Sequence, residues 1–424
     1  MVDIRLIREN PEMIRESARK KRLEFDLDAF LEKDVRLRKL RVEIDDLRAK
    51  RNQGSKEIAT LKGDEKGRAI VSMQTVVQTL KELEPEYGQL EAEIDDLMLY
   101  CPLPPAEDVP EGESDKENIE VRRWGDPPNF DFTPKDHIDL AEGLDILDIE
   151  RGVKLAGSRS YILKKEGALL HWAILRLAMD HMLDQGFVPL TVPVMVREPF
   201  MVGTTYFPQG RDQAYEMEKD ELFLVGTAEV SLTSYYAGEI LSFEDLPARF
   251  VSNCPCYRRE AGTYGKDTRG VYRIHQFDKV EQVVICENNP EASEEMHATL
   301  LKNAEEVTRK LELPHRVVEV CTGEMGLGKY RMHDIECWMP SRDSYSETHS
   351  CSSFQDFQAR RLNIRYRDSE GKLRFTHTLN NTVVASPRIL IPLLEVHQRE
   401  DGSVVIPKAL RPYVGSREIL EPVR

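Results

Sequence analysis

Apolar residues recur at intervals of three and four in two stretches near the N-terminus. The longer run is Met73, Val76, Leu80, Leu83, Tyr87, Leu90, Ile94 and Leu97, and the shorter is Leu37, Leu40, Ile44 and Leu47. This spacing predicts two helices that pair as a coiled coil. LKGDEKGR (61–68) lies between them with two glycines, so we expect an antiparallel helical hairpin within a first domain, residues 1–100. Each arm of about 30 residues would be roughly 45 Å long.

The charge of this segment bears on its role, because heptads alone are equally typical of a dimerisation coiled coil. Residues 1–62 contain 17 Lys and Arg against 13 Asp and Glu, whereas residues 63–120 contain 4 against 16. The net charge of the whole chain, −16, argues against indiscriminate nucleic-acid binding. The locally basic first helix favours a polyanionic partner.

A Pro-rich, acidic segment follows the hairpin. CPLPPAEDVPEGESDKEN (101–118) cannot continue a helix and predicts an extended linker. A second domain, 119–424, then contains a long apolar helix at 165–185 and short β-type runs at 187–196, 222–226, 249–260, 271–286, 315–321 and 361–367. The strands cluster without a helix after each one. We therefore expect an α+β fold with a mainly antiparallel sheet flanked by helices.

Charged residues stand among strand formers between positions 256 and 281. A period of two puts one row on a strand face, Arg273, His275, Phe277, Lys279 and Glu281, and pairs Arg258 with Glu260 on the preceding strand. Arginine forks bind phosphates, an aromatic ring stacks on a base, and a carboxylate accepts hydrogen bonds from an amine. These residues predict a site for a nucleotide and an amine. The alternative is a solvated charge ladder on an edge strand.

The same segments resemble a known family. RRE (258–260) followed by TRGVYRIHQFDKVE (268–281) resembles motif 2 of class II aminoacyl-tRNA synthetases, specifically the seryl-tRNA synthetases of bacterial type. FVPLTVPVMV (187–196) resembles motif 1, GTAEV (226–230) the serine-binding TAE segment, and TLNNTVVASPR (378–388) motif 3. SETHSCSSFQDFQARRLNIRYR (346–367) resembles the family's EISSCSNFEDFQARR. The N-terminal hairpin is also a family feature, so the resemblance covers essentially the whole chain.

The resemblance implies an enzyme, a serine–tRNA ligase that uses ATP, L-serine and serine-specific tRNA through a seryl-adenylate. The implied catalytic residues are Arg258, Arg273, Glu347 and Arg388. The implied ATP-binding set is Arg258, Arg259, Glu260, Arg273, Ile274, Phe277, Glu347, Thr348, His349, Ser350 and Arg388. The implied serine-binding set is Thr227, Ala228, Glu229, Arg258, Glu281, Asn380 and Thr382. Glu347 and Ser350 would hold Mg²⁺, a hard cation that takes oxygen ligands.

The resemblance also implies macromolecular partners. The hairpin of the family contacts serine tRNA, which would assign tRNA binding to basic residues of the first helix: Arg36, Arg38, Arg41, Arg48, Lys50 and Arg51. Motif 1, with Pro193 in this chain, implies a homodimer. No apolar run approaches the roughly 20 residues of a membrane span and the N-terminus lacks an apolar signal core, so we expect a cytoplasmic protein without a membrane partner.

Several features limit or oppose this interpretation. Members of the family commonly have NGSGLAVGR in motif 3, where this chain has NNTVVASPR, so Asn381, Val383 and Pro387 replace glycines. Of these, Val383 and Pro387 are expected to reshape the adenosine or serine side of the site. Alternatives are a specialised or less active paralogue and a tRNA-binding protein without catalysis. Synthetases for proline, threonine and glycine generally carry a further domain after motif 3, whereas 36 residues follow Arg388 here.

The sequence also contains cysteines and a glycine-rich match, but neither predicts a further site. The seven cysteines are odd in number and include no C-x-x-C, so we expect reduced thiols and no zinc. TGEMGLGKY (322–330) fits G-x-x-x-x-G-K but has Tyr330 where a phosphate-binding loop needs Ser or Thr. We do not predict a Walker A site there.

Overall fold

The computed structural model describes residues 1–262 and 270–423, which form two compact units, Met1–Pro104 and Pro105–Arg424. Residues 263–269, and with them the Thr268–Arg269 start of the motif 2 resemblance, lie outside the described residues. Each unit has its own elements and is considered by itself.

The N-terminal unit is helical. Its elements are α1 (Ile4–Glu9), α2 (Pro11–Lys20), α3 (Leu27–Thr60) and α4 (Gly63–Met98). The side chain of Asp26 caps α3 by accepting the Ala29 N–H at 2.9 Å. The reversal between α3 and α4 occupies only residues 61 and 62, because α4 begins at Gly63 and includes most of the predicted turn.

The two long helices pack against each other, which confirms the predicted coiled-coil hairpin. The seam buries Leu40 and Ile44 from α3 and Leu80 and Ile94 from α4. Ion pairs cross the seam from Arg36 to Glu86 at 2.7 Å and from Arg48 to Glu84 at 2.9 Å. Lys33 pairs with Glu93 in the same way. Partner numbers on α4 fall as those on α3 rise, so the helices are antiparallel.

The larger unit mixes helices and strands. Its helices are α5 (His137–Gly143), α6 (Ile149–Ala156), α7 (Glu166–Asp184), α8 (Glu198–Gly203), α9 (Glu229–Thr233), α10 (Pro290–Lys310), α11 (Phe357–Leu362) and α12 (Leu390–Val396). Its first strands are β1 (Ile119–Trp124), β2 (Leu147–Asp148), β3 (Ile162–Leu163), β4 (Val188–Pro189), β5 (Met195–Arg197), β6 (Glu216–Met217), β7 (Leu222–Leu224), β8 (Ile240–Leu241) and β9 (Ala248–Tyr257). The later strands are β10 (Gln276–Cys286), β11 (His315–Glu319), β12 (Arg331–Met339), β13 (Ser344–Ser353), β14 (Arg365–Arg367), β15 (Leu373–Phe375), β16 (His377–Ser386), β17 (Val404–Val405) and β18 (Ile419–Leu420).

One large sheet organises this unit. Within the described residues its eight strands follow the order β1-β11-β12-β13-β16-β10-β9-β4, and each neighbouring pair is antiparallel except β4 with β9. The predicted α+β class and mainly antiparallel sheet are thus confirmed. β12, β13 and β16 and the helix α10 carried no prediction. Residues 190–194 and 271–275, predicted as strand, fall outside the strands β4, β5 and β10, and 361–362 belong to α11.

Alternation along the central strands divides the sheet into two faces. Val280 and Val284 of β10 enter a large apolar core beneath α7, α10 and α12. Phe277 and Val283 lie on the opposite face, in a smaller cluster to which α9 and α11 contribute. The row that contains Phe277 is therefore the only part of β10 that can reach a ligand on the second face.

The predicted linker is partly structured. Ala106 and Val109 are buried in a cluster with Met332 and its neighbours, and the Ala106 N–H donates to the Tyr330 carbonyl at 3.0 Å. Pro110 accepts the Thr322 N–H at 2.9 Å. Residues 105–110 therefore belong to the larger unit. Among the described residues, no helix is both long enough and apolar enough to cross a membrane.

Candidate active site

A cavity of about 300 Å³ opens on the second face of the sheet. It brings together residues from α9, β10, β13 and β16 and from nearby loops, including the one that follows β9. The predicted residues that line it are Thr227, Glu229, Arg258, Glu260, Arg273, Ile274, Phe277, Glu347, Thr348, Ser350, Asn380, Thr382 and Arg388. Residues as far apart in the sequence as Thr227 and Arg388 thus share one wall.

Arginine and aromatic side chains form one end of the cavity. The guanidinium carbon of Arg258 lies 5.3 Å from the centre of the Phe277 ring, and its Nε donates to the Gly226 carbonyl at 3.2 Å. A Cβ at Gly226 would overlap the hydroxyl of Tyr206, so a larger residue there would have to displace the Tyr206 ring. Arg258 is thereby fixed with its remaining N–H groups available for an anion in the cavity.

Arg258, Glu260 and Arg273 were expected within the strands beside Phe277, but they lie just beyond the ends of those strands. Arg258 and Glu260 follow the last residue of β9, and Arg273 precedes β10. Glu260 has φ of 52°, in the left-handed region, which turns the chain sharply after Arg258. Its carboxylate accepts a hydrogen bond from Arg273 at 2.8 Å. The pair holds Arg273 toward the cavity from outside the regular sheet.

The motif 3 arginine is held by a tyrosine. The guanidinium carbon of Arg388 lies 4.4 Å from the Tyr272 ring centre, and that of Arg342 lies 4.2 Å from the same ring. Arg388 also donates to the Tyr272 carbonyl at 3.3 Å and lies 3.7 Å from the Glu347 carboxylate. Two cations on one ring concentrate positive charge at this end of the cavity.

The predicted metal ligands share the cavity because of a β-bulge. Glu347 and Ser350 are three positions apart, so strict alternation would put them on opposite faces. The register of β12 with β13 skips Thr348, pairing Ile335 with His349 and Glu336 with Glu347. The bulge restores both predicted ligands to the cavity wall. Burial and the nearby Glu347 carboxylate raise the pKa of Asp334, the cross-strand partner of Ser350, well above its usual range.

Carboxylates and an amide form the other end. The Asn380 side-chain amide donates to Glu229 at 3.0 Å and to Glu281 at 2.9 Å, and Gln358 donates to Glu229 at 2.9 Å. Burial, and after it the Glu281 charge, raise the pKa of Glu229 to about 7. The cavity therefore offers an acceptor-rich pocket that a cation can stabilise.

A lysine without a predicted role completes this end. Lys279 Nζ lies 2.6 Å from Glu281 Oε2, with only 7% and 0% of the two side chains exposed. Burial is the largest single influence and opposes the charge on Lys279, but the Glu281 carboxylate together with the neighbouring Cys256 leaves the pKa of Lys279 raised. Thr382 contacts the same carboxylate at 3.4 Å. Lys279 lines the cavity, whereas Glu281 stands behind it and acts through Lys279, Asn380 and Thr382.

Some predicted residues lie elsewhere. Ala228 is buried in the apolar cluster of the second face. Arg259 follows β9, and its backbone N–H donates to Gln213 at 2.9 Å. His349 is buried, with Nδ1 2.8 Å from the Thr348 hydroxyl, and burial lowers its pKa to about 3. These three side chains, like that of Glu281, do not line the cavity.

Two of the three motif 3 departures, Asn381 and Val383, also face away from the cavity. Val383 is a bulged residue, because the register of β10 with β16 passes from Val384 directly to Thr382. Its side chain is fully buried in the core beneath the helices. The Asn381 side chain donates to the Leu300 carbonyl of α10 at 2.8 Å. Both side chains lie behind the site and leave its wall to Asn380 and Thr382, so Val383 supports the site from behind and does not line the cavity.

Other wall residues carried no prediction: Thr204, Thr205, Tyr206, Gln209, Gly326, Leu327, Gly328, Lys329, Ser352 and Ser386. The Gly326–Lys329 loop lies inside the rejected G-x-x-x-x-G-K match, so its glycines were a usable signal for a ligand-facing loop. A Cβ on Gly328 would fall within 3.0 Å of the Phe357 ring and Thr205. The segment 204–209 offers no such signal in the sequence.

The matches to known families follow the two units. Residues 1–104 match the family described as seryl-tRNA synthetase N-terminal domain, and residues 213–397 match the tRNA synthetase class II core domain (G, H, P, S and T). A serine–tRNA ligase of Deinococcus radiodurans is 45% identical over 100% of both chains. The chain belongs to the seryl-tRNA synthetase family. The resemblance seen in the motifs is thereby confirmed.

Solved structures of this family have the same fold over the full length. A seryl-tRNA synthetase of Pyrococcus horikoshii complexed with ATP superposes with a TM-score of 0.94 at 38% identity, covering 100% of both chains. A cytoplasmic serine–tRNA ligase of Naegleria fowleri in complex with AMP gives 0.89 at 28% identity, covering 100% of this chain and 99% of the other. Both relatives were captured with adenine nucleotides.

Proposed function

We propose that this protein is a serine–tRNA ligase that activates L-serine with ATP and transfers it to serine-specific tRNA. The observation that carries the proposal is the shared cavity. It has a cationic, aromatic end around Arg258, Phe277 and Arg388 and a carboxylate-rich end around Glu229 and Asn380. A nucleotide triphosphate and a small amino acid need these two chemistries side by side.

At the nucleotide end, each residue type has a defined task. The Phe277 ring would stack on adenine, Glu260 would accept from the adenine amino group, and Arg258 would bind the α-phosphate. Arg273 and Arg388 would bind the distal phosphates. The serine carboxylate then attacks the α-phosphorus in line, and the arginines stabilise the charge that gathers there before pyrophosphate leaves.

Magnesium fits the oxygen donors at this end. Glu347 and Ser350 line the cavity beside Arg388 and supply a carboxylate and a hydroxyl, the ligand types that Mg²⁺ takes together with phosphate oxygens. When bound, the ion would offset phosphate charge. Among the described residues, no cluster of three or more His, Cys, Asp or Glu side chains is placed to hold a metal, so we infer a metal that arrives with ATP.

Serine would be selected at the acidic end. Glu229 would accept from the ammonium, supported by Glu281 through Asn380, while Thr227 and Thr382 contact the hydroxyl. A pocket built to hydrogen-bond a hydroxyl leaves its own groups unpaired when alanine enters, which can discriminate by about 10⁴. Alanine activated nearly as well as serine would remove this assignment.

The remaining inferences concern partners and location. We infer that the α3–α4 hairpin binds tRNA, that the protein is cytoplasmic, and that α7 contributes to a homodimer. The exposed Trp172, 62% accessible, supports an apolar contact on α7. A homodimer should sediment near twice 48.8 kDa, and a monomer fully active at roughly nanomolar concentration would contradict the inference.

Serine-dependent ATP–pyrophosphate exchange tests the proposal directly. Exchange with serine, but not with proline, threonine or glycine, is expected because only a hydroxyl-bearing side chain of this size satisfies Thr227 and Thr382. Threonine is the stringent comparison because it adds one methyl group. Absence of exchange with every amino acid, combined with retained tRNA binding, would favour the alternative of a tRNA-binding protein without catalysis.

A further inference from the structure

A histidine on α7 touches both strands that carry the nucleotide end of the cavity. His171 Nδ1 lies 2.8 Å from the Ser386 hydroxyl and Nε2 lies 3.0 Å from the Asp278 carboxylate. Asp278 and Ser386 are directly opposite each other in the β10–β16 register. One buried imidazole therefore bridges a cross-strand pair from behind the sheet.

The proton positions follow from what each partner can accept. An ionised carboxylate accepts only, so Nε2 carries the hydrogen that points to Asp278. In the neutral ring Nδ1 then accepts from the Ser386 hydroxyl. Both ring nitrogens are satisfied, which fixes the orientation of the imidazole. The same residue types form the relay of serine hydrolases, but Ser386 is fully buried, so the trio has a positioning role.

The bulge at Val383 creates this contact. Because the register skips Val383, Ser386 and Asp278 form one pair next to α7, and the adjacent pair, Ala385 and Lys279, lines the cavity, whose wall Ser386 also reaches. The family motif quoted above has valine where Ser386 stands and glycine where Val383 stands. Two departures of motif 3 thus contribute to the same bridge.

The bridge lies next to the residues assigned to ATP. Phe277 precedes Asp278, and Arg388 follows Ser386 by two positions. We propose that His171 is a positioning residue for adenylate formation: it clamps β10 to β16 so that Phe277 and Arg388 hold the nucleotide in register with the serine. This inference rests on the proposed function. It gives α7 a role in adenylate formation that does not depend on direct contact with the substrate.

The first test is His171→Phe, which keeps the ring volume and removes both hydrogen bonds. The KM for ATP in serine-dependent exchange should rise about tenfold or more, since small misplacements of binding groups are costly. The KM for serine should stay within about twofold, because the serine end is held by Glu229 and Asn380. The matched control is His181→Phe on the same helix, whose ring contacts Lys310 and Glu306, and it should leave both constants unchanged.

Conservative variants separate the two hydrogen bonds and remain informative if His171→Phe does not fold. Asn at this position can reach Ser386 as Nδ1 does, and Gln can reach Asp278 as Nε2 does. Each should recover part of the ATP affinity that His171→Phe loses. Normal ATP affinity in His171→Phe combined with losses in the Asn and Gln variants would mean that the ring supplies packing alone, which overturns the proposal.

A double-mutant cycle decides whether Ser386 acts through His171. If it does, Ser386→Ala and His171→Gln should each raise the KM for ATP, and the double variant should be no worse than the more affected single variant. Independent, multiplying effects would mean that Ser386 contacts the nucleotide by itself and would overturn the bridge.

The outcome is distinguishable from failure of the proposed function. Exchange by the unmodified protein tests the ligase activity, whereas ATP-induced thermal stabilisation reports nucleotide binding without serine or turnover. Loss of that stabilisation in His171→Phe, but not in His181→Phe, is the expected result. Stabilisation equal to that of the parent protein would overturn the role of His171 even if the ligase activity is established.

Discussion

The buried Lys279–Glu281 pair gives the sharpest prediction, because removing one partner leaves the other charge stranded. The two atoms lie 2.6 Å apart, and at most 7% of either side chain is exposed. Breaking such a pair costs about 3–5 kcal/mol. In Lys279→Met, Asn380 and Thr382 still contact the carboxylate, so the lower value, about 3 kcal/mol, is expected.

This cost converts into a measurable melting shift. Unfolding entropy of about 2.1 cal/mol/K per residue gives roughly 0.7 kcal/mol/K for a unit of about 320 residues. Lys279→Met should therefore lower the Tm of the larger unit by about 4–5 °C. The matched control is Lys302→Met, which breaks the exposed Lys302–Glu306 pair at 3.7 Å and should cost less than about 1 kcal/mol.

The pH dependence tests the cause. In the parent protein the pKa of Lys279 is raised. The stability that its charge contributes is therefore fully present below the unfolded pKa of about 10.4 and is lost only as pH rises through the folded pKa. The deficit of Lys279→Met against the parent should persist at both about pH 6 and about pH 8.

A compensating variant separates stability from function. Lys279→Met combined with Glu281→Leu removes both charges and should recover most of the lost stability. Serine-dependent exchange should remain impaired, since the support for Asn380 and Thr382 is gone. A Lys279→Met protein within about 1 kcal/mol of the parent at both pH values would refute the assignment of a buried ion pair.

Three further predictions concern activity. Arg258→Ala should reduce exchange turnover by about 10² or more, since the guanidinium stabilises charge in the transition state; near-normal exchange would remove Arg258 from the site. The kcat/KM for serine should rise with pH through about 7 as Glu229 ionises, and an unchanged profile in Glu229→Gln would contradict this assignment. Replacing residues 32–99 with a glycine linker should leave exchange within a few-fold of normal while tRNA charging collapses; charging that persists would indicate an assembly role for the hairpin.

The tRNA residues predicted on α3 now fall into two groups. Arg36 and Arg48 form interhelical ion pairs, whereas Lys50 is exposed beside a shallow groove. Lys50→Ala should reduce the salt dependence of tRNA binding by about 0.9 in slope for one duplex phosphate contact. Arg36→Ala should mainly weaken the hairpin, and a larger effect on the slope from Arg36→Ala than from Lys50→Ala would reverse this division.

The sequence was sufficient where the signal is periodic or motif-based. Heptads predicted the hairpin, and alternation after Phe277 correctly grouped Phe277, Lys279 and Glu281 on one row. The same alternation failed at Arg273, because the strand begins only at Gln276. Sequence periodicity predicts the middle of a helix or strand better than its ends, because caps and turns also influence where an element stops.

The remaining features depend on interruptions of regular structure. The bulges at Thr348 and Val383 change the face of the sheet toward which the neighbouring side chains point. No residue type at these positions predicts a bulge. His349 therefore entered the predicted ATP set by its position in a motif, although its ring is buried. The Lys279–Glu281 ion pair could not be predicted from the sequence, because it depends on how deeply the two residues are buried. On an edge strand the same two charges would be solvated.

The distribution of buried residues along the hairpin has a mechanical consequence. From Asp45 through Thr79, which includes the distal half of the hairpin and its turn, no residue is fully buried. Local opening there disrupts few apolar contacts, so its free-energy cost should fall from the base of the arm toward the tip. Amide exchange should accelerate in the same direction. If the hairpin binds tRNA as proposed, an arm that is stable at its base and opens more easily at its end can adjust to variable RNA shapes, although ordering that end on binding costs entropy and lowers the affinity.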